Sequence, residues 1–88
     1  MEKVLVYSKM NCPYCVQAKQ LLTAKQIPYE EVRVDLDQNR LQEMLTRSQR
    51  RTVPQIFIGA HHVGGFDDLY ALDQRGGLDD LLKKKGNE

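Results

Sequence analysis

The chain has 88 residues, of which 41% are hydrophobic and 28% are charged, and its formal net charge is +1. This composition argues against an intrinsically disordered chain, and the near-neutral charge predicts no general attraction to nucleic acid or to an anionic membrane. No stretch approaches the roughly 20 apolar residues of a membrane span. The length predicts a single domain over residues 1–88.

The first residues lack the pattern of a secretory signal. The apolar run Val4–Tyr7 is too short for the hydrophobic region of such a signal, and no small-residue cleavage site follows it. We therefore expect a cytoplasmic protein. In that compartment a single pair of cysteines, here Cys12 and Cys15, is typical of a catalytic or metal-binding site rather than of a structural disulfide.

The N-terminal half begins with a predicted strand, helix and strand. Val4–Tyr7 is a continuous apolar run, which is typical of a central strand covered on both faces. Pro13 is well suited to the first position of a helix, which should end before Ile27 because the next residue is a proline. A second strand is predicted over residues 29–34.

The rest of the chain predicts a second helix, a hairpin and two more helices. Asp37 can cap the second helix. Residues 53–58 and 61–63 predict two strands joined by a tight turn. Gly64–Gly65 opens a third helix, and Gly76–Gly77 separates it from the last.

This order of elements predicts an α/β fold with a mixed four-stranded sheet and helices on both faces. The first two strands should be parallel and the last two antiparallel. A C-x-x-C motif directly after the first strand of such a pattern indicates a thioredoxin-like redox protein.

The cysteine pair lies where a thiol should be reactive. If Pro13 starts the helix, Cys12 is its N-cap and Cys15 faces the same way one turn later, close enough for a short-loop disulfide. A free thiol with a pKa of about 8.5 is only ~3% ionised at neutral pH, whereas C-x-x-C motifs at helix starts reach pKa values of roughly 3.5–7.5. Lys9 could add a cation. We expect Cys12 to attack and the more buried Cys15 to resolve the mixed disulfide.

Two other interpretations of the pair remain open at this point. The cysteines could be inert buried thiols. They could also bind zinc together with His61 and His62, but adjacent residues on a strand point to opposite faces. We expect no metal, and we interpret the histidines as edge-strand residues.

Four segments in this order resemble the glutaredoxin family, especially the small bacterial dithiol glutaredoxins, and the likeness runs from about Val4 to Leu82. The segments are Cys12-Pro13-Tyr14-Cys15, Thr52-Val53-Pro54-Gln55-Ile56-Phe57-Ile58, Gly64-Gly65-Phe66-Asp67-Asp68-Leu69 and Gly76-Gly77-Leu78.

The resemblance implies a thioredoxin-like fold with a glutathione site beside Cys12. It also implies a cis bond between Val53 and Pro54, a rare feature in folded proteins. Glutathione is then expected to pair with the Val53 backbone as a short added strand, flanked by Thr52 and Pro54. The alternative is a trans proline that merely starts an edge strand.

The segment from Gly65 to Asp67 resembles the family's site for the γ-glutamyl end of glutathione. Free N–H groups at a helix start can bind its carboxylate, and the Asp67 carboxylate can meet its ammonium group. Many relatives carry a small residue or Cys where this chain has Phe66, so the resemblance supports a contact through the Phe66 backbone. The alternative is a simple turn followed by ordinary helix-start acids at Asp67 and Asp68.

Lys9 and Arg51 are candidates to bind the glycine carboxylate of glutathione, although Arg51 could equally be a solvated surface charge. Tyr14, between the cysteines, should flank the substrate. Met10 and Tyr70 are interpreted as packing residues.

The function implied is reduction of protein disulfides and of protein–glutathione mixed disulfides. Glutathione is the expected reductant, with no permanently bound cofactor, and the resemblance suggests ribonucleotide reductase among the substrates of a monomeric enzyme. One alternative is a redoxin reduced by thioredoxin reductase. Another is an iron–sulfur carrier in which two chains share a cluster through Cys12 and two glutathiones.

Overall fold

A computed structural model describes residues 2–83 of the chain. Four strands and four helices follow one another in these residues: β1 (Val4–Ser8), α1 (Pro13–Ala24), β2 (Glu30–Arg33), α2 (Gln38–Ser48), β3 (Gln55–Ile58), β4 (His61–Gly64), α3 (Phe66–Gln74) and α4 (Gly77–Lys83).

The strands form one mixed sheet in the order β2-β1-β3-β4. β1 is parallel to β2, with Val6 opposite Glu31, and antiparallel to β3, with Val6 opposite Ile56. β3 and β4 form an antiparallel hairpin. The predicted mixed sheet is therefore confirmed, and β1 is a central strand.

Helices cover both faces of the sheet, which explains why the apolar run of β1 is continuous. Val4 and Val6 pack on one face with buried residues of α1, α3 and α4. Leu5 and Tyr7 point to the opposite face, where Met44 of α2 is buried. Successive side chains of a strand alternate between faces, so a strand covered on both sides needs apolar residues at every position.

The predicted helix starts are confirmed, because local signals determine them. α1 begins at Pro13 and α2 follows Asp37, whose side chain accepts hydrogen bonds from the N–H groups of Asn39 at 3.0 Å and Arg40 at 3.3 Å. The third strand is shorter than predicted, because its pairing with β1 begins at Gln55.

Two predicted packing residues are exposed instead. Met10, in the loop before α1, keeps 63% of its surface exposed, and Tyr70 keeps 49%. The prediction was wrong for Tyr70 because Leu69 and Leu72 are the residues of α3 that face the core. None of the helices described here has the length and apolar character to cross a membrane.

Candidate active site

The two cysteines lie at the start of α1 and are joined by a disulfide. Cys12 is the N-cap residue with an extended backbone, and its sulfur accepts a hydrogen bond from the Cys15 N–H at 3.2 Å. Cys12 is 8% exposed and Cys15 only 1%. The sulfur of Cys12 is therefore the more accessible one, and it faces the N–H groups of the first helical turn.

A hydrogen bond to Asp35, just after β2, holds the loop that leads into Cys12. The Met10 N–H donates to Asp35 Oδ2 at 3.2 Å, and the Arg33 guanidinium binds the same carboxylate at 2.6 and 2.8 Å. The hydrogen bonds from Arg33 first, and then the one from Met10, hold the pKa of Asp35 below its usual value. Asn11 has a φ of 59°, in the left-handed region that asparagine tolerates.

The segment before β3 lies directly against the disulfide. The Val53–Pro54 bond is cis, which confirms the prediction. The Val53 carbonyl oxygen is 3.7 Å from the Cys12 sulfur. The backbone of Val53 is therefore next to the candidate reactive atom.

A pocket of about 300 Å³ opens beside this segment. It brings together seven of the eight residues that the sequence predicted to bind glutathione, with Asp68 in addition. The lining residues are Tyr14, Thr52, Val53, Pro54, Gly65, Phe66, Asp67 and Asp68.

The eighth predicted residue, Lys9, lines a second pocket of about 480 Å³ together with Arg51 and Cys12. Thr52 and Val53 line this pocket as well as the first. The two pockets therefore meet at Thr52 and Val53, and the two pockets together are called the groove. The exposed side chains of Lys9 and Arg51 line the second pocket, whereas Asp67 lines the first.

The first turn of α3 is capped by its own side chain. The Asp68 carboxylate accepts a hydrogen bond from the Gly65 N–H at 3.0 Å and lies 3.3 Å from Arg50. The Gly65 N–H, followed by Arg50, lowers the pKa of Asp68. Because Gly65 is already paired and the first intrahelical bond runs from the Leu69 N–H to the Gly65 carbonyl, the Phe66, Asp67 and Asp68 N–H groups are the donors of this turn that remain for a ligand.

Two aromatic rings, Tyr14 and Phe66, line the first pocket, and a third, Tyr70, packs against Phe66. The Tyr14 ring stacks on Phe66 with 6.4 Å between centroids, and Phe66 lies 6.0 Å from Tyr70. The side chain of Phe66 therefore contributes to the wall of the first pocket and packs against Tyr14, which the sequence did not indicate.

Sequence reasoning also missed a buried polar chain behind the groove. Gln55, which has no exposed surface, donates from Nε2 to the Thr52 carbonyl at 3.0 Å and to Thr52 Oγ1 at 3.2 Å. His62 Nε2 is 2.7 Å from Gln55 Oε1, and its ring stacks on Phe57. Burial, and then the nearby Arg50, lowers the pKa of His62. The available signal was a single polar residue in an otherwise apolar third strand.

The described residues offer no support for a zinc site. No cluster of three or more histidine, cysteine, aspartate or glutamate side chains within residues 2–83 could hold a metal ion. His61 is exposed, whereas His62 is engaged with Gln55.

A mixed sheet with a C-x-x-C disulfide at the start of its first helix defines a redox protein with a thioredoxin-like fold. The Glutaredoxin family model matches residues 4–63. Over 83 residues the chain is 55% identical to Glutaredoxin 3 of Escherichia coli strain K12. This match covers 94% of this chain and 100% of the relative. The glutaredoxin of Neisseria meningitidis serogroup A is 52% identical over 83 residues, 93% of this chain and 98% of that one. The chain belongs to the glutaredoxin family.

Solved structures agree with this assignment. The solution structure of glutaredoxin from Brucella melitensis is 49% identical, with a TM-score of 0.82, and the match covers 94% of this chain and 90% of that one. A crystal structure of a buckwheat glutaredoxin–glutathione complex is 30% identical, with a TM-score of 0.85, over 97% of this chain and 80% of that one. The predicted fold and the resemblance to dithiol glutaredoxins are confirmed.

Proposed function

We propose that the protein is a glutathione-dependent thiol–disulfide oxidoreductase that reduces protein disulfides and protein–glutathione mixed disulfides. The observation that carries this proposal is the groove past Cys12, whose pocket is lined by Tyr14, residues 52–54 and residues 65–67. A structural neighbour from buckwheat, described as a complex with glutathione, supports it further.

The groove suits an extended tripeptide whose thiol reaches Cys12. The Val53 backbone offers peptide groups for pairing with it. The γ-glutamyl carboxylate would bind the N–H groups at the start of α3, and the Asp67 carboxylate would pair with its ammonium group. Lys9 and Arg51, in the second pocket, would attract the glycine carboxylate.

One branch of the proposed reaction removes glutathione from proteins and uses Cys12 alone. The Cys12 thiolate attacks the glutathione sulfur of the mixed disulfide, and the protein thiolate leaves and takes up a proton. The thiolate of a second glutathione then attacks the glutathione bound to Cys12. This step releases the Cys12 thiolate and forms glutathione disulfide.

The second branch reduces protein disulfides and uses both cysteines. Cys12 attacks the protein disulfide and forms a mixed disulfide with one protein sulfur. Cys15 then attacks Cys12, which releases the reduced protein and closes the Cys12–Cys15 disulfide. Two glutathiones reopen it and leave as glutathione disulfide.

A coupled assay tests the proposed function. The protein is given NADPH, a small glutathionylated disulfide and either glutathione with glutathione reductase or thioredoxin reductase alone. We expect NADPH oxidation to depend on glutathione. Equal or faster turnover with thioredoxin reductase would identify the other class of redoxin and overturn the proposal.

We also propose that the chain acts as a single-domain monomer in the cytoplasm, and that ribonucleotide reductase is among its substrates. A reducing compartment suits an exchangeable disulfide that glutathione must reopen. Light scattering of the oxidised and reduced protein tests the monomer, and a dimeric mass in both forms would contradict it.

A further inference from the structure

We propose that Gln55 and His62 are positioning residues that hold the Thr52–Val53 edge of the groove in place for glutathione. Neither residue lines either pocket, so both would act through Thr52. This inference rests on the proposed function and assigns determinants of its substrate affinity.

The backbone just before β3 needs support from a side chain. The pairing of β3 with β1 begins at Gln55, opposite Tyr7, so the ladder between these strands does not extend to Thr52. The Gln55 side chain folds back and donates to both the carbonyl and the hydroxyl of Thr52. A buried side-chain amide thus supports Thr52 where that ladder has ended.

His62 determines the orientation of the Gln55 amide. Because its nitrogen donates to Thr52, its oxygen faces His62 and can only accept a hydrogen bond. His62 Nε2 must therefore carry the hydrogen in the 2.7 Å contact. Stacking on Phe57, with 4.8 Å between ring centroids, holds the His62 ring in the plane that this contact needs. The histidine fixes the amide, and the amide fixes Thr52.

We expect Gln55 and His62 to affect the binding of glutathione rather than the sulfur chemistry at Cys12. Thr52 and Val53 line both pockets, whereas the shorter contact of the Cys12 sulfur is with the Cys15 N–H at the start of α1, at 3.2 Å against 3.7 Å to the Val53 carbonyl oxygen. A less well-positioned edge would weaken glutathione pairing but leave thiolate exchange at Cys12 unchanged. A residue needed only for folding would not separate KM from kcat in this way.

The experiment compares Gln55→Leu and His62→Leu with two controls in the glutathione-coupled assay. His61→Leu changes the exposed neighbour on the same strand, and His62→Gln retains a donor. We expect the first two to raise KM for the glutathionylated substrate roughly 3- to 10-fold, the effect of losing one hydrogen bond. Their kcat should remain within about twofold of the wild type. His61→Leu should match the wild type, and His62→Gln should recover most of the loss.

Nuclear magnetic resonance provides a test that needs neither glutathione nor a stable variant. In the wild type, the ring nitrogens of neutral His62 should show the hydrogen on Nε2. Unchanged KM in both leucine variants, a matching fall in kcat, or a hydrogen on Nδ1 would each overturn the inference. Absence of glutathione-dependent turnover in the wild type would overturn the proposed function, while the ring signal would still test the positioning chain.

Discussion

Cys12 and Cys15 are three residues apart, but the fold gives them different surroundings. Cys12 lines the second pocket of the groove, whereas Cys15 is inside α1 and nearly inaccessible. We expect Cys12→Ser to abolish both activities, because the chain has only two cysteines and the other, Cys15, is 1% exposed. Cys15→Ser should retain removal of glutathione from proteins and lose reduction of protein disulfides. Assays with one substrate of each kind check this, and activity in Cys12→Ser would contradict the assignment of roles.

The start of α1 should also change the acidity of the Cys12 thiol. The Cys15 N–H already donates to the Cys12 sulfur, and such a bond strengthens when the sulfur is an anion. We expect the pKa of Cys12 in the reduced protein to lie below the ordinary value of about 8.5. Thiolate absorbance against pH in the Cys15→Ser variant measures it directly. A midpoint at the ordinary value would exclude an effect of the helix start.

At the scale of single elements, the start of α3 depends on one glycine and one carboxylate. Gly64 has a φ of 117°, and a Cβ at this position would collide with the Asp68 carboxylate. The carboxylate in turn caps the Gly65 N–H. We expect Asp68→Ala to lower the free energy of unfolding by about 1 kcal/mol, the usual effect of losing an N-terminal cap. Urea unfolding measures this difference, with the exposed Asp80 changed to alanine as the control.

The contribution of Asp68 should depend on pH in a defined direction. Its pKa in the folded protein is lowered from the ordinary value of 3.8, so the folded state favours the carboxylate. The stabilisation is complete above that ordinary value and is lost as the pH falls through the folded-state pKa. Wild type and Asp68→Ala should therefore converge in stability in acid. A constant difference down to the lowest pH would mean that the cap is not electrostatic.

Local signals allowed the helix starts to be predicted, while tertiary contacts decided where β3 begins and which side chains are exposed. Pro13 and Asp37 act within one turn of chain, so their helices could be read from neighbouring residues. The start of β3 depends on where β1 can pair with it. The exposure of Met10 and Tyr70 depends on which side of each segment packs against the sheet. Neighbouring residues in the sequence do not determine that side.

At the scale of the whole molecule, helices on both faces of the sheet create two separate cores. Leu22 of α1 is fully buried in the core shared with α3 and α4. We expect Leu22→Ala to destabilise the protein by about 2–5 kcal/mol, because a rigid core leaves a cavity. Denaturant unfolding of the oxidised protein measures this. Leu36→Ala, at a residue 75% exposed, should change stability by less than about 0.5 kcal/mol. Similar losses in both variants would contradict the assignment of the core.

The candidate site is assembled from three distant segments around residues 14, 53 and 66, and its prediction had two sources. The chemistry of Cys12 followed from its position before Pro13. The grouping of Tyr14, Val53 and Asp67 came from the resemblance to glutaredoxins, because no local pattern brings such segments together. Neither the local pattern nor the resemblance indicated a role for Gln55 and His62, since their contact forms only when β3 pairs with β4.

The most direct measurement is a structure of the Cys15→Ser variant carrying glutathione in a disulfide with Cys12. We expect the tripeptide to lie along Val53, with its γ-glutamyl end beside Asp67 and its glycine carboxylate towards Lys9. A tripeptide that extends into solvent, or that occupies the other side of α1 and leaves this groove empty, would contradict the account.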